Sequence, residues 1–190
     1  MKFLIQHVPA IKRLSLTGIG CWNNLVLDFI PTLNIITGMG GCGKSTIMRS
    51  ILNAINPVNI GRHCLMPTFS FTSGQIEIEF YKKAVTVDIP ALNKGPIEPD
   101  IKESLGQFML KQLHSNLNKS HQGIALLIEA EITSCLDDMQ YHQAVELLYV
   151  ATNQIICIIH NVRFSSMDFP NARVYNCYAD IEGNTYIKLQ

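Results

Sequence analysis

The stretch LNIITGMGGCGKSTIMRSILNAIN, from Leu33 to Asn56, decides the fold. Leu33–Thr37 is an apolar run that predicts a buried strand leading straight into glycines. From Lys44 onward, Ile47, Met48, Ile51, Leu52 and Ile55 recur at helical spacing, and Pro57 ends the pattern. Between strand and helix stand Gly38, four further residues, then Gly43, Lys44 and Ser45, which is the phosphate-loop pattern. The chemistry needs these residue types. Gly38, Gly40, Gly41 and Gly43, with Cys42 among them, let backbone N–H groups converge on phosphate oxygens without side-chain collision. Lys44 carries a mobile positive charge to the β- and γ-phosphates, and the Ser45 hydroxyl can bind Mg2+. The helix start at Ser45–Thr46 adds its dipole to anion binding. The loop Gly38–Thr46 is therefore expected to hold a nucleoside triphosphate, ATP ahead of GTP, with Mg2+.

Upstream, Ile11–Leu16 and Leu25–Ile30 read as short strands, with turns at Gly18, Gly20 and Asn23–Asn24. Downstream, Ile76–Phe80 and Val85–Ile89 alternate apolar and polar residues and predict a hairpin around Tyr81–Ala84. Pro90–Pro99 reads as a connector. Ile101–Leu117 reads as a helix capped by Asp100 with Glu103. Ile124–Ile128 and Gln154–Ile159 are apolar runs suited to buried parallel strands, with a helix at Leu136–Val150 between them. Val174–Tyr178 and Thr185–Leu189 predict a closing hairpin turned at Glu182-Gly183-Asn184. The order gives an α/β domain, a mixed sheet with an antiparallel flank and a C-terminal hairpin. One domain is expected over residues 1–190, with an N-terminal lobe over about 1–90 and a C-terminal lobe over about 100–190.

Composition narrows the function. Apolar residues make up 47% and charged residues 16% of the 190, and the net charge is zero. That balance argues against a strongly basic nucleic-acid binder. It also leaves a dry surface, part of which should be covered by a partner or a second copy. Lys12-Arg13 and Lys82-Lys83 read as solvated charges. The six cysteines show no CxxC spacing and read as reduced thiols of a cytoplasmic protein. Apolar runs are too short to cross a membrane, and MKFLIQHVPAIKR does not read as a signal peptide.

Acids belong at the ends of apolar strands in phosphate-loop enzymes, where they hold Mg2+ and poise water. The segment ALLIEAEITSCLDD, Ala125–Asp138, supplies Glu129 and Glu131 at such an end. His160 directly follows QIICII, at the strand terminus where α/β sheets bind ligands. The remaining histidines show no such placement.

LNIITGMGGCGKSTIMRSILNAI resembles the first conserved block of the ABC-type ATPase heads of the SMC and RecF group. Later blocks follow in the same order. Glu103-Ser104-Leu105-Gly106-Gln107 resembles the signature at a helix start, and Ala130-Glu131 stands where the family has Asp-Glu. Thr133–Asp137 looks like the family's D-loop, and His160 matches the switch histidine. The resemblance implies two heads that sandwich ATP. Ser104, Gly106 and Gln107 of one head would meet the nucleotide held by the other. Glu131 would polarise the attacking water, His160 would sense the γ-phosphate and Asp137 would couple the two sites.

This sequence departs from that pattern in several places. Ala130 replaces the Mg2+-supporting aspartate; an alignment shifted by one residue puts Glu129 there and costs the catalytic glutamate. Gly40 replaces an asparagine, and no Q-loop glutamine is evident, since Gln75 precedes its strand. Only the connector near Pro90–Lys102 stands where related proteins carry a coiled coil or helical lobe.

The expected function is an ATP-binding head that dimerises around nucleotide and hydrolyses it, in DNA maintenance or mobile-element defence. It would act as a homodimer or with another head, and on a separate effector or DNA. The alternative is a non-hydrolysing ATP switch or scaffold subunit. A small nucleotide kinase fits less well, because two strands precede the loop and the arginines are scattered.

Overall fold

The computed structural model describes residues 4–55, 73–81, 84–88, 110–111, 113–115, 117, 124–130, 137–151, 153–159, 169 and 171–190. Among the described residues ten strands run in chain order: β1 Leu4–Pro9, β2 Ile11–Ile19, β3 Trp22–Asp28, β4 Leu33–Gly38, β5 Gln75–Phe80, β6 Ala84–Asp88, β7 Ile124–Ala130, β8 Gln154–Ile159, β9 Arg173–Ala179 and β10 Thr185–Leu189. Helix α1 spans Lys44–Ile55 and helix α2 spans Asp138–Val150. Further described helical residues lie at 110–111, 113–115 and 117.

The strands form two sheets. The first has the order β1-β7-β8-β4-β9-β10, the second β3-β2-β5-β6. In the first, β7, β8, β4 and β9 are parallel neighbours, while β1 and β10 flank them antiparallel. The second sheet is antiparallel throughout. The mixed sheet with an antiparallel flank expected from the strand order is what forms.

Helix α1 lies between the sheets. Its Ile47, Met48, Ile51 and Leu52 join Leu14, Leu16, Leu27, Ile76 and Ile78 of the second sheet and Ile36, Leu127, Ile156 and Ile158 of the first. The opposite face of the first sheet, with Ile35, Leu126, Ile128, Ile155, Cys157 and Ile159, packs on Leu113 and on Ala144 and Leu148 of α2. Strand β8 is buried at every position because period-two alternation sends its side chains into both cores.

Polar clamps join the sheets. The Ile11 N–H donates to Gln154 Oε1 at 2.7 Å, and Gln154 Nε2 donates to the carbonyls of Ile11 and Ile30 at 2.7 and 2.9 Å. The Tyr175 hydroxyl donates to Asp28 O at 2.7 Å and accepts from Asp28 N at 3.2 Å. Asn34, fully buried within β4, accepts from Ile30 N and donates to the carbonyls of Ile30, Thr32 and Ile155. On the surface, Lys12 pairs with Glu79 and Arg13 with Asp28, and Arg13 holds the Asp28 carboxyl below the ordinary range. Both basic residues are exposed, as their sequence implied.

Some boundaries differ from expectation. Strand β1 has no alternating pattern and was not expected; it forms by pairing with β7 at the sheet edge, where Pro9 is tolerated. Strand β3 spans Trp22–Asp28 rather than Leu25–Ile30, because a two-residue turn at Gly20–Cys21 sets Ile19 opposite Trp22. Helix α2 starts at Asp138 rather than Leu136, because Asp137 is its N-cap. The final turn is broader than Glu182–Asn184: Asp180 accepts from Glu182 N and Asn184 N, and Gly183 takes φ +85°. The expected helix cap at Asp100 lies outside the described residues.

Replacing Gln154 by Leu keeps much of its volume but leaves the buried Ile11 N–H unpaired. Urea unfolding should show a loss of about 3 kcal/mol, with native circular dichroism retained before the transition. An unchanged midpoint would show that the clamp contributes nothing.

Candidate functional site

The glycine loop joins the C-terminal end of β4 to the N-terminus of α1. Gly38, Gly41 and Gly43 have φ of +132°, +81° and +81°, a region that favours glycine. At Gly38 a Cβ would lie 2.0 Å from the carbonyl oxygen of Cys177 on the neighbouring β9. At Gly43 it would lie 2.3 Å from Cys21 Sγ and 2.8 Å from Trp22 Nε1. At Gly40 and Gly41 it would meet nothing within 4 Å. The loop is thus packed at its two ends and open in the middle, as a cradle for an anion must be.

Lys44 folds back across this loop. Its Nζ donates to the carbonyls of Gly38 and Met39 at 2.7 and 2.5 Å, and the residue is 2% exposed. Its charge is therefore held within the loop itself. Gly43 O accepts the first helical N–H groups, Thr46 N at 3.1 Å and Ile47 N at 3.3 Å. Ser45 and Thr46 are half-buried at the helix start, where the helix dipole favours an anion. Cys42 is buried and donates to Met39 O at 2.9 Å. Converging backbone, open centre and internal cation fit a phosphate chain. Ser45 at the helix start fits the cation that accompanies it.

The sheet register brings a second expected element to the same edge. Glu129 pairs with Ile158 and Ala130 with Ile159, while Ile158 pairs with Ile36 of β4. The end of β7 therefore lies two strands from the loop, at the same carboxyl edge of the parallel strands, the edge at which α/β sheets bind ligands. Glu131 and His160 follow β7 and β8 directly but lie outside the described residues, as do Ser104, Gly106 and Gln107. Asp137 is exposed; its carboxylate accepts from Gln140 N at 2.8 Å, and Gln140 Oε1 accepts from Asp137 N at 3.2 Å, a reciprocal capping box. No group of three or more metal-ligating side chains occurs among the described residues.

Residues not expected at the site also support it. Cys21, Trp22 and Cys177 enclose the loop from behind, brought there by the β2–β3 hairpin and by β9. The only signal in the sequence was a tryptophan set beside a glycine turn. Burial pushes the Cys177 thiol up to about 12 and raises that of Cys21. Cys157, in the opposite core, is also pushed to about 12 by burial. All four described cysteines are free thiols.

Comparison with known proteins agrees with this geometry. An AAA domain family model matches residues 13–90. The Septu protein PtuA of Bacillus thuringiensis is 39% identical over 70 residues, 37% of this chain and 17% of that protein. The chain thus matches under a fifth of that relative's length. The SMC head domain from Thermotoga maritima superposes with a TM-score of 0.59 at 15% identity, covering 95% of this chain and 99% of that one. An SMC head bound to the C-winged helix domain of ScpA gives 0.53 at 12% identity, covering 96% and 98%. The chain has the α/β fold of an SMC head domain. Among the described residues no helix is long and apolar enough to cross a membrane.

Gly38→Ala should destabilise the fold by at least about 3 kcal/mol, since the new methyl meets a backbone carbonyl. Gly40→Ala should stay within about 1 kcal/mol of wild type in thermal melts. Cys157 and Cys177 should resist iodoacetamide at pH 8 in the native protein. Their raised values add stability that is whole below pH 9, the free-thiol value, and fades as pH rises toward about 12. Labelling of either under native conditions, read by peptide mass spectrometry, would contradict that burial.

Proposed function

We propose that this chain is an ATP-binding and ATP-hydrolysing head that dimerises around nucleotide and acts with a separate effector in mobile-element defence. The observation that carries it is the loop at the end of β4: glycines at positive φ, an open centre and Lys44 held inside. The match to the Septu protein PtuA supports defence over DNA repair. The SMC head bound to part of ScpA supports a partner protein.

In this reading the amides of Gly40–Thr46 wrap the phosphates. Lys44 exchanges its carbonyl partners for β- and γ-phosphate oxygens, a trade of neutral acceptors for charged ones that favours the bound form. Ser45 and Glu129 would supply protein oxygens to Mg2+, which would neutralise phosphate charge there. Glu131 orients and polarises the attacking water, and His160 senses the γ-phosphate. Ser104, Gly106 and Gln107 from a second head close over the nucleotide. Asp137 couples the sites from the capped start of α2. The single domain, its two lobes and its cytoplasmic location belong to the same reading.

A second reading rests on Ala130, which stands where the resemblance places an acid. There the head binds ATP and dimerises without turnover, as a switch or scaffold.

Light scattering and phosphate release, with and without ATP and Mg2+, test both readings. Wild type should dimerise with ATP and release phosphate. Lys44→Ala should lose about 30- to 100-fold in ATP affinity, the value of a charge-assisted contact. Glu131→Gln should keep the ATP-dependent dimer and lose turnover. Dimers without phosphate release in wild type would favour the switch. A monomer throughout, with ATP bound, would sink the sandwich.

A further inference from the structure

The β2–β3 hairpin reaches across from the second sheet to the back of the phosphate loop. Trp22 begins β3, is 2% exposed, and its Nε1–H donates to Gly43 O at 3.2 Å. That carbonyl is also the first acceptor of α1, taking Thr46 N and Ile47 N. The hairpin tip touches the helix start again one turn on, where a Cβ at Gly20 would lie 2.9 Å from Thr46 Cγ2. Gly43 has no room for a side chain because Cys21 Sγ and the Trp22 indole occupy that space.

A peptide unit is planar and trans, so the direction of a C=O fixes the N–H of the next residue in the opposite direction. By holding Gly43 O, the indole sets the Lys44 N–H at the start of α1, where helix N–H groups have no intrahelical acceptor. We infer that Trp22 is a positioning residue for anion binding: from a separate sheet it orients the Gly43–Lys44 peptide toward the phosphate chain. This rests on the nucleotide-binding reading above. It adds a residue outside the strand–loop–helix unit to the determinants of affinity. The rest of the hairpin tip contributes by shape: Gly20 and Cys21 fill the space behind Thr46 and Gly43 and leave the loop one backbone path.

Trp22 is the chain's single tryptophan, so growth on a tryptophan analogue alters this residue alone. β-(3-Benzothienyl)alanine replaces the indole N–H by sulfur and keeps the ring shape, which separates the hydrogen bond from packing. Titration with ATP and Mg2+ should show about fivefold weaker binding for the analogue protein, the value of one hydrogen bond. Its thermal midpoint should match wild type, because the Gly43 carbonyl keeps its helical donors. Trp22→Phe should weaken binding at least as much. Indole emission in wild type should shift on ATP addition, with the midpoint of the binding isotherm.

An analogue protein that binds ATP within twofold of wild type would overturn the positioning role. A lowered melting point with unchanged affinity would do the same, by making Trp22 a packing residue only. Wild-type protein that binds no ATP would instead overturn the nucleotide reading itself.

Discussion

The carbonyl oxygen of Cys177, standing where a side chain at Gly38 would begin, governs the rest of the structure. Strand β4 is hydrogen-bonded in parallel to β8 on one side and β9 on the other. At its last position the chain must leave the sheet and turn into α1 without lifting from β9. Only a residue without a Cβ can do that at φ +132° with a carbonyl so close. The turn then places Gly40 and Gly41 in open space and returns the chain at Gly43, where the second sheet presses on it. The anion cradle is therefore a consequence of where the chain is forced close and where it is left free.

Helix α1 couples that loop to the whole molecule. It is the layer on which both sheets bury their apolar faces, so its orientation cannot change without cost to either. The amide of Gln154 and the hydroxyl of Tyr175 satisfy backbone groups of the second sheet from the first, which fixes one sheet on the other. Behind the loop, the Cys21 side chain and the Trp22 indole close the space at Gly43, and the backbone of Cys177 closes it at Gly38.

Much of the fold was legible because hydrophobic periodicity reports burial directly. The continuous apolar runs of β4, β7 and β8 marked the parallel strands, and the i, i+3, i+4 pattern marked α1. Strand β1 was not legible: LIQHVP has no period, and its conformation comes from pairing with β7, far away in the chain. The true start of β3 was hidden for a related reason. Asn23 and Asn24 read as a turn, yet both are exposed residues of a ladder whose register is set by the turn at Gly20. Asp137 read as part of a coupling motif, and its visible contact is a local one, the cap of α2.

By itself the sequence determined the phosphate loop, its flanking strand and helix, and the α/β class, because these follow from local spacing and from residues that only one kind of backbone tolerates. Tertiary structure alone decided what stands behind the loop. That Trp22 would hold Gly43, that Cys177 would face Gly38, and that Gln154 would satisfy Ile11 are contacts between elements far apart in the chain. Nothing in local sequence encodes them, since they arise from how two sheets pack across one helix.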